Sequence, residues 1–81
     1  MNNDLPSKHS LREHVKNAMH EYFSTLDGTT ASNIYELVIA QVEPALLEVV
    51  MHHAKGNQSR AAEMLGLNRG TLRKLLEKYG L

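Results

Sequence analysis

The fold is decided by residues 58–77, which read QSRAAEMLGLNRGTLRKLLE. Their spacing is typical of a helix-turn-helix, in which two short helices cross at a small residue and are joined by a tight turn. Ala62 lets the helices approach, and Gly66, four residues on, permits the backbone conformation of the turn. Leu72 and Leu75 then anchor the second helix from beneath. The stretch therefore predicts a helical hairpin.

Both helices of this hairpin have local start and stop signals. Asn57 and Asn68 are good N-cap residues, because an asparagine oxygen can accept a hydrogen bond from an otherwise unpaired backbone N–H of the first turn. A glycine follows each helix, and the second of these is Gly80. We predict helices over residues 58–65 and 69–78.

The second helix has an apolar face and a basic face. At about 100° per residue, its apolar stripe consists of Leu72, Leu75, Leu76 and Tyr79. The opposite side presents Thr71, Arg73, Lys74 and Lys78, with Arg69 at its flank. A recognition helix offers such a surface to the major groove of DNA. The pattern alone also fits an ordinary hairpin whose charged face is simply solvated.

Charge is distributed unevenly along the chain. The 81 residues contain nine basic and nine acidic side chains, so the formal net charge is zero. Residues 1–54 hold seven acids and three bases, whereas residues 55–81 hold six bases and two acids. The positive segment is the one that contains the hairpin, which favours a polyanionic partner at that end.

Two further helices are predicted before the hairpin. Ser10 and Glu13 form a capping box at the start of the first helix, and Asp27-Gly28 ends it. The second begins after Asn33, which we expect to cap it by its side chain, and runs to Lys55 with a glycine as the stop. Pro44 lies in its middle and predicts a kink rather than two separate helices.

The second helix is apolar on several sides, since 14 of the 21 residues in 34–54 are apolar. A chain of this length has too few other helices to cover it, so we predict a homodimer with this helix at the interface. The predicted interface side chains are Ile34, Val38, Val42, Leu46 and Val49. The organisation is a flexible tail over residues 1–10, dimerisation helices over 11–56 and the helix-turn-helix over 57–81.

Composition excludes several functional classes. Without cysteine, the chain has no disulfide, thiolate metal site or cysteine nucleophile, and its five histidines lack a metal-binding pattern, so we expect no metal and no cofactor. No nucleophile with a partnered base and no glycine-rich phosphate loop is present, so we do not expect an enzyme. The chain also lacks a membrane span and a signal peptide, which predicts a cytoplasmic protein without a membrane partner.

The stretch GNQSRAAEMLGLNRGTLRKLLEKYG strongly resembles the C-terminal end of the bacterial Fis proteins (factor for inversion stimulation). The similarity continues through NIYELVIAQVEPALLEVVM and LREHVKNAMHEYF, and so covers about residues 11–81. The resemblance implies an all-α, four-helix subunit in an intertwined homodimer joined through its first two helices. It also implies a nucleoid-associated protein that binds double-stranded DNA, bends it at degenerate sites and regulates transcription.

The resemblance also implies which residues contact DNA. They are Asn57, Ser59 and Arg60 in the first helix of the hairpin, and Asn68, Arg69, Thr71, Arg73 and Lys74 in the second, beside the outward-facing Lys78. Arg69 has the geometry to read a guanine edge, and Arg73 fits a base or a phosphate. Most of the others fit phosphates, and Asn68 serves as a helix cap, a DNA contact or both.

The sequence departs from the family pattern at two points. Fis proteins that activate recombinases carry an N-terminal β-hairpin arm, and only ten residues precede Leu11, so the arm looks missing and a recombinase partner is doubtful. Glu77 stands where better-known relatives have lysine, which predicts weaker phosphate affinity.

The alternative function is that of a dimeric helical adaptor whose basic hairpin docks an acidic protein.

Overall fold

The computed structural model describes residues 10–81, which form four helices and no strand. These are α1 (Leu11–Thr25), α2 (Ile34–His53), α3 (Gln58–Leu65) and α4 (Arg69–Tyr79). The chain divides after Ser32 into two compact units, one with α1 and one with α2, α3 and α4. The predicted four-helix, all-α subunit is confirmed. The expectations of a flexible tail and of a missing arm concern residues that lie almost wholly outside the described ones.

Helix α1 begins where the sequence predicts. The backbone N–H of Glu13 donates to Ser10 Oγ at 3.1 Å, so the serine caps the helix. After Thr25 the chain leaves the helix through Asp27 and Gly28, whose φ angles are 49° and 87°. No residue of α1 is buried.

Helix α2 starts differently from the prediction. Asn33 has φ 55° and ψ 31° and makes no capping hydrogen bond with its side chain. A side-chain cap needs an extended backbone at the N-cap position. Asn33 instead takes the left-handed conformation, which asparagine tolerates better than most residues. The predicted Asn33 side-chain cap is therefore wrong.

The end of α2 also differs by two residues from the prediction. The helix stops at His53 rather than Lys55, because Lys55 already has φ 54° and Gly56 φ 79°. The N–H of Gly56 donates to the carbonyl oxygen of Met51 at 3.1 Å, which closes the helix end. Pro44 lies inside an uninterrupted α2, as predicted. The kink at this residue stays a prediction.

The core of the second unit is small and apolar. It consists of Leu47 and Ala54 from the α2 segment, Ala61 and Ala62 from α3, and Leu72 and Leu76 from α4. Leu47 and Leu72 are at most 1 % exposed, and full burial of such a side chain contributes about 1.5–3 kcal/mol. Because the two alanines have small side chains, α3 can pack closely against the other helices. This core confirms the predicted apolar stripe of α4, and it fixes the direction of its opposite face.

A hydrogen bond joins the end of α4 to the middle of α2. The Tyr79 hydroxyl donates to Glu43 Oε1 at 2.6 Å. This bond to the carboxylate, together with desolvation and the negative charge of Glu43, raises the pKa of Tyr79 to about 12. The bond therefore links the last turn of α4 to α2.

Candidate nucleic-acid interface

Both helices of the hairpin begin with an asparagine cap, as predicted. Asn57 Oδ1 accepts the backbone N–H of Arg60 at 3.1 Å, and Asn68 Oδ1 accepts that of Gly70 at 2.8 Å. The two asparagines have extended backbones, which lets their side chains fold back over the first turn. Between the helices, the N–H of Leu67 donates to the carbonyl oxygen of Ala62 at 2.9 Å and closes α3.

The capping bonds leave other backbone donors unused at these helix starts. Within residues 10–81, the N–H groups of Arg69 and Thr71 have no protein acceptor, and the same holds for Gln58 and Ser59. Unpaired N–H groups and the positive end of the helix dipole attract anions. The starts of α3 and α4 therefore suit phosphate oxygens.

The predicted contact residues of α4 all lie on its exposed side. Leu72 and Leu76 are buried on the opposite side, so the direction of this face follows from the core. The exposed side chains are Asn68, Arg69, Thr71, Arg73, Lys74 and Lys78. Lys78 Nζ lies 5.3 Å from the centroid of the Tyr79 ring. Glu77 is exposed on the same side and reduces its positive charge.

Gly70 has a steric role in the α4 cap. A Cβ atom at this position would lie 3.2 Å from Asn68 Oδ1. That distance is shorter than ordinary van der Waals contact, so any side chain would press on the oxygen that caps the helix. With glycine at this position, the capping oxygen of Asn68 need not move.

Two of the three contact residues predicted at the start of α3 line a cavity. Asn57, Ser59 and Arg60 are exposed, and two of them line an open cavity of about 430 Å³. His53, Ala54 and Lys55 complete its lining. His53 and Lys55 are not among the contact residues predicted from the sequence. One signal was available, because the positive segment of the chain begins at Lys55.

The predicted interface residues lie on α2 at various degrees of exposure. Leu46 and Val49 are 50 % and 59 % exposed, although both are large and apolar. At about 100° per residue, Val49 points away from Leu47 and Ala54, which face the core, and Leu46 lies about a quarter turn from them. The remaining three, Ile34, Val38 and Val42, are half-buried. Their role in a dimer stays a prediction.

Two features that would indicate other classes of function are absent from residues 10–81. No helix there is long and apolar enough to cross a membrane. No group of three or more histidine, aspartate or glutamate side chains there is arranged to hold a metal ion.

Comparison with protein families gives two matches. Residues 38–79 match the family described as "Bacterial regulatory protein, Fis family". Residues 1–31 match a second, described as "DNA-binding protein Fis N-terminal domain". The first match covers more than half of the chain and includes the whole hairpin with its capped, basic α4. The two matches and the helix-turn-helix together show that this chain is a DNA-binding regulator that belongs to the Fis family.

Proposed function

We propose that the protein is a homodimeric, nucleoid-associated transcriptional regulator of the bacterial cytoplasm that binds and bends double-stranded DNA at degenerate sites. The observation that supports this best is the exposed side of α4, where Arg69, Arg73 and Lys74 stand beside unused backbone N–H groups. A basic helix with an open N-terminus on a helix-turn-helix fits the major groove. The function is one of binding, without catalysis.

In this proposal the two helices of the hairpin contact different parts of the DNA. Arg69, at the start of α4, donates paired hydrogen bonds to a guanine edge and selects the sequence. Thr71 and Lys74 hold phosphates on one side of the groove, and Arg73 contacts a base or a phosphate. Ser59 and Arg60 hold the backbone from the start of α3, where unused N–H groups add to the attraction.

The homodimer places one α4 in each half of the site. The support within the chain is the exposed apolar side of α2 at Leu46 and Val49, which a second copy would cover. Straight DNA presents successive major grooves about 34 Å apart, so a dimer with more closely spaced recognition helices must bend the duplex. The close spacing, and with it the bending, rests on the family resemblance.

The test is fluorescence anisotropy of a short labelled duplex at several salt concentrations. We expect the wild type to bind with a steep salt dependence, because phosphate contacts release counterions. Arg69→Ala/Arg73→Ala should lose binding while remaining folded. Arg12→Ala/Lys16→Ala, a matched loss of two charges from the exposed surface of α1, should bind as the wild type does.

Two outcomes would contradict the proposal. If the wild type does not bind DNA even at low salt, the basic hairpin is a docking surface for an acidic protein instead. If both double variants lose binding equally, the affinity comes from overall charge and not from α4. Energy transfer between dyes at the two ends of the duplex tests bending separately, since an unbent complex leaves the transfer unchanged.

A further inference from the structure

The cavity between the end of α2 and the start of α3 combines two cations with a histidine. Its lining residues include Lys55, Arg60, His53 and Asn57. No acidic residue lines it. Asn57 and Arg60 already belong to the proposed phosphate contacts, so the cavity extends that surface towards the end of α2.

The histidine gives this extension a property that lysine and arginine lack. Imidazole is the side chain whose ordinary pKa lies between pH 5 and pH 8, whereas lysine and arginine side chains ordinarily stay charged over that range. We propose that this cavity is a phosphate subsite for the DNA backbone in which protonated His53 is a third cation, so that DNA affinity rises as the pH falls. This inference rests on the proposed DNA-binding function and adds a regulatory residue to it.

The groups around His53 allow this assignment. From α2 itself, the His52 ring packs against the His53 ring edge to face, with centroids 5.6 Å apart. Of the other lining residues, Lys55 belongs to the loop and Arg60 to α3, while no residue of α4 lines the cavity. The closest acid along α3 is Glu63, which lines a separate depression with Arg60 and Met64. The cavity therefore offers a negative phosphate three positive groups once His53 is protonated.

The sign of the effect follows from linkage. A phosphate in the cavity favours the protonated imidazole over the neutral one, so DNA binding takes up a proton. Mass action then makes binding tighter at low pH. Linkage of this kind gives about a threefold to tenfold increase in affinity per subunit between pH 8.0 and pH 5.5.

The test is anisotropy of the labelled duplex across this pH range at constant ionic strength. The wild type should gain affinity as the pH falls, and His53→Gln should show a flat profile. His53→Lys, which keeps a positive charge at every pH, should bind tightly and with a flat profile. His20→Gln, a matched change at an exposed histidine of α1, should keep the wild-type profile.

Several results would overturn the inference. If His53→Gln keeps the wild-type pH dependence, or if His52→Gln abolishes it, the linked proton is not on His53. If the wild type binds DNA equally at every pH, the subsite fails while the proposed function stands. If it binds no DNA at any pH, both fail.

A titration with inorganic phosphate distinguishes a DNA subsite from a site for free phosphate. The imidazole signals of His53 are followed by NMR, first with phosphate and then with duplex. Support for the DNA backbone as ligand is a shift of these signals with duplex at micromolar concentration and none with phosphate at equal concentration. The reverse pattern would overturn that choice of ligand.

Discussion

Gly70 and Asn68 show how two neighbouring residues shape the start of α4. A Gly→Ala change inside a helix ordinarily stabilises by up to about 1 kcal/mol. Here the new Cβ would press on Asn68 Oδ1, the oxygen that accepts the Gly70 N–H. A favourable helix propensity therefore opposes a damaged cap at the same position.

We predict that Gly70→Ala gives no net stabilisation of the wild type. In an Asn68→Ala background the same change should stabilise by about 0.5–1 kcal/mol, because the oxygen that the Cβ meets is gone. Asn68→Ala alone should cost about 1 kcal/mol. Urea unfolding of the four proteins measures this cycle. An equal effect of Gly70→Ala in both backgrounds would show that the close approach to the cap has no energetic consequence.

At the scale of the helix, the bond from Tyr79 to Glu43 ties α4 to α2. The Tyr79 hydroxyl must keep its proton to donate to the Glu43 carboxylate. The pKa of Tyr79 is raised from 10.0 to about 12 in the folded protein. A pKa raised by folding means that the stabilisation is fully present below pH 10 and is lost as the pH rises from 10 to 12.

We predict that Tyr79→Phe lowers the melting temperature at pH 8, and that the difference from the wild type shrinks as the pH rises towards 12. The phenylalanine variant has no hydrogen bond to lose over that range. Tyr35→Phe is the matched control, because Tyr35 is 78 % exposed and should tolerate the change at every pH. Thermal unfolding followed by circular dichroism is the measurement. A constant difference between wild type and Tyr79→Phe across the range would show that the bond does not stabilise the fold.

Which helices the sequence could predict depends on how local their signals are. The bounds of α3 and the start of α4 follow from Asn57, Asn68 and the intervening glycine, all within a turn of the ends that they define. The side-chain cap predicted at Asn33 was wrong, since an asparagine either caps a helix or adopts a left-handed backbone conformation, according to its surroundings. The α2 end failed by two residues because Lys55 adopts a positive φ normally left to glycine.

The site divides in the same way. Helical periodicity was enough to place Arg73 and Lys74 on the exposed side of α4, because the buried leucines fix the opposite side. The cavity beside α3 could not be predicted, since it depends on how the α2–α3 loop brings the end of α2 beside the start of α3. The bond between Tyr79 and Glu43 joins residues 36 positions apart, which no local pattern reveals.

At the scale of the whole molecule, the apolar side of α2 bears on oligomeric state. Leu46 is 50 % exposed in one subunit. In a monomer, its replacement by a polar residue would therefore lower the free energy of unfolding only a little. If this position is buried in an interface between two copies, an aspartate there would place an unpaired charge in an apolar contact, which is strongly unfavourable.

We therefore predict that Leu46→Asp abolishes the dimer and unfolds the protein or leaves it monomeric. Met64→Asp is a matched control, since Met64 is also 50 % exposed but lies on α3 away from the proposed interface. Sedimentation equilibrium with circular dichroism follows both mass and fold. A stable Leu46→Asp dimer would place the interface elsewhere on the molecule.

The unused N–H groups at the start of α4 belong to the main chain, and this has an evolutionary consequence. Substitution at Arg69 or Thr71 exchanges the side chain but leaves the amide donor in place, provided the Asn68 cap holds the turn. Such donors recognise any phosphate and carry no base preference. Substitutions on α4 can therefore alter the base preference while the main-chain contacts to the phosphates are retained.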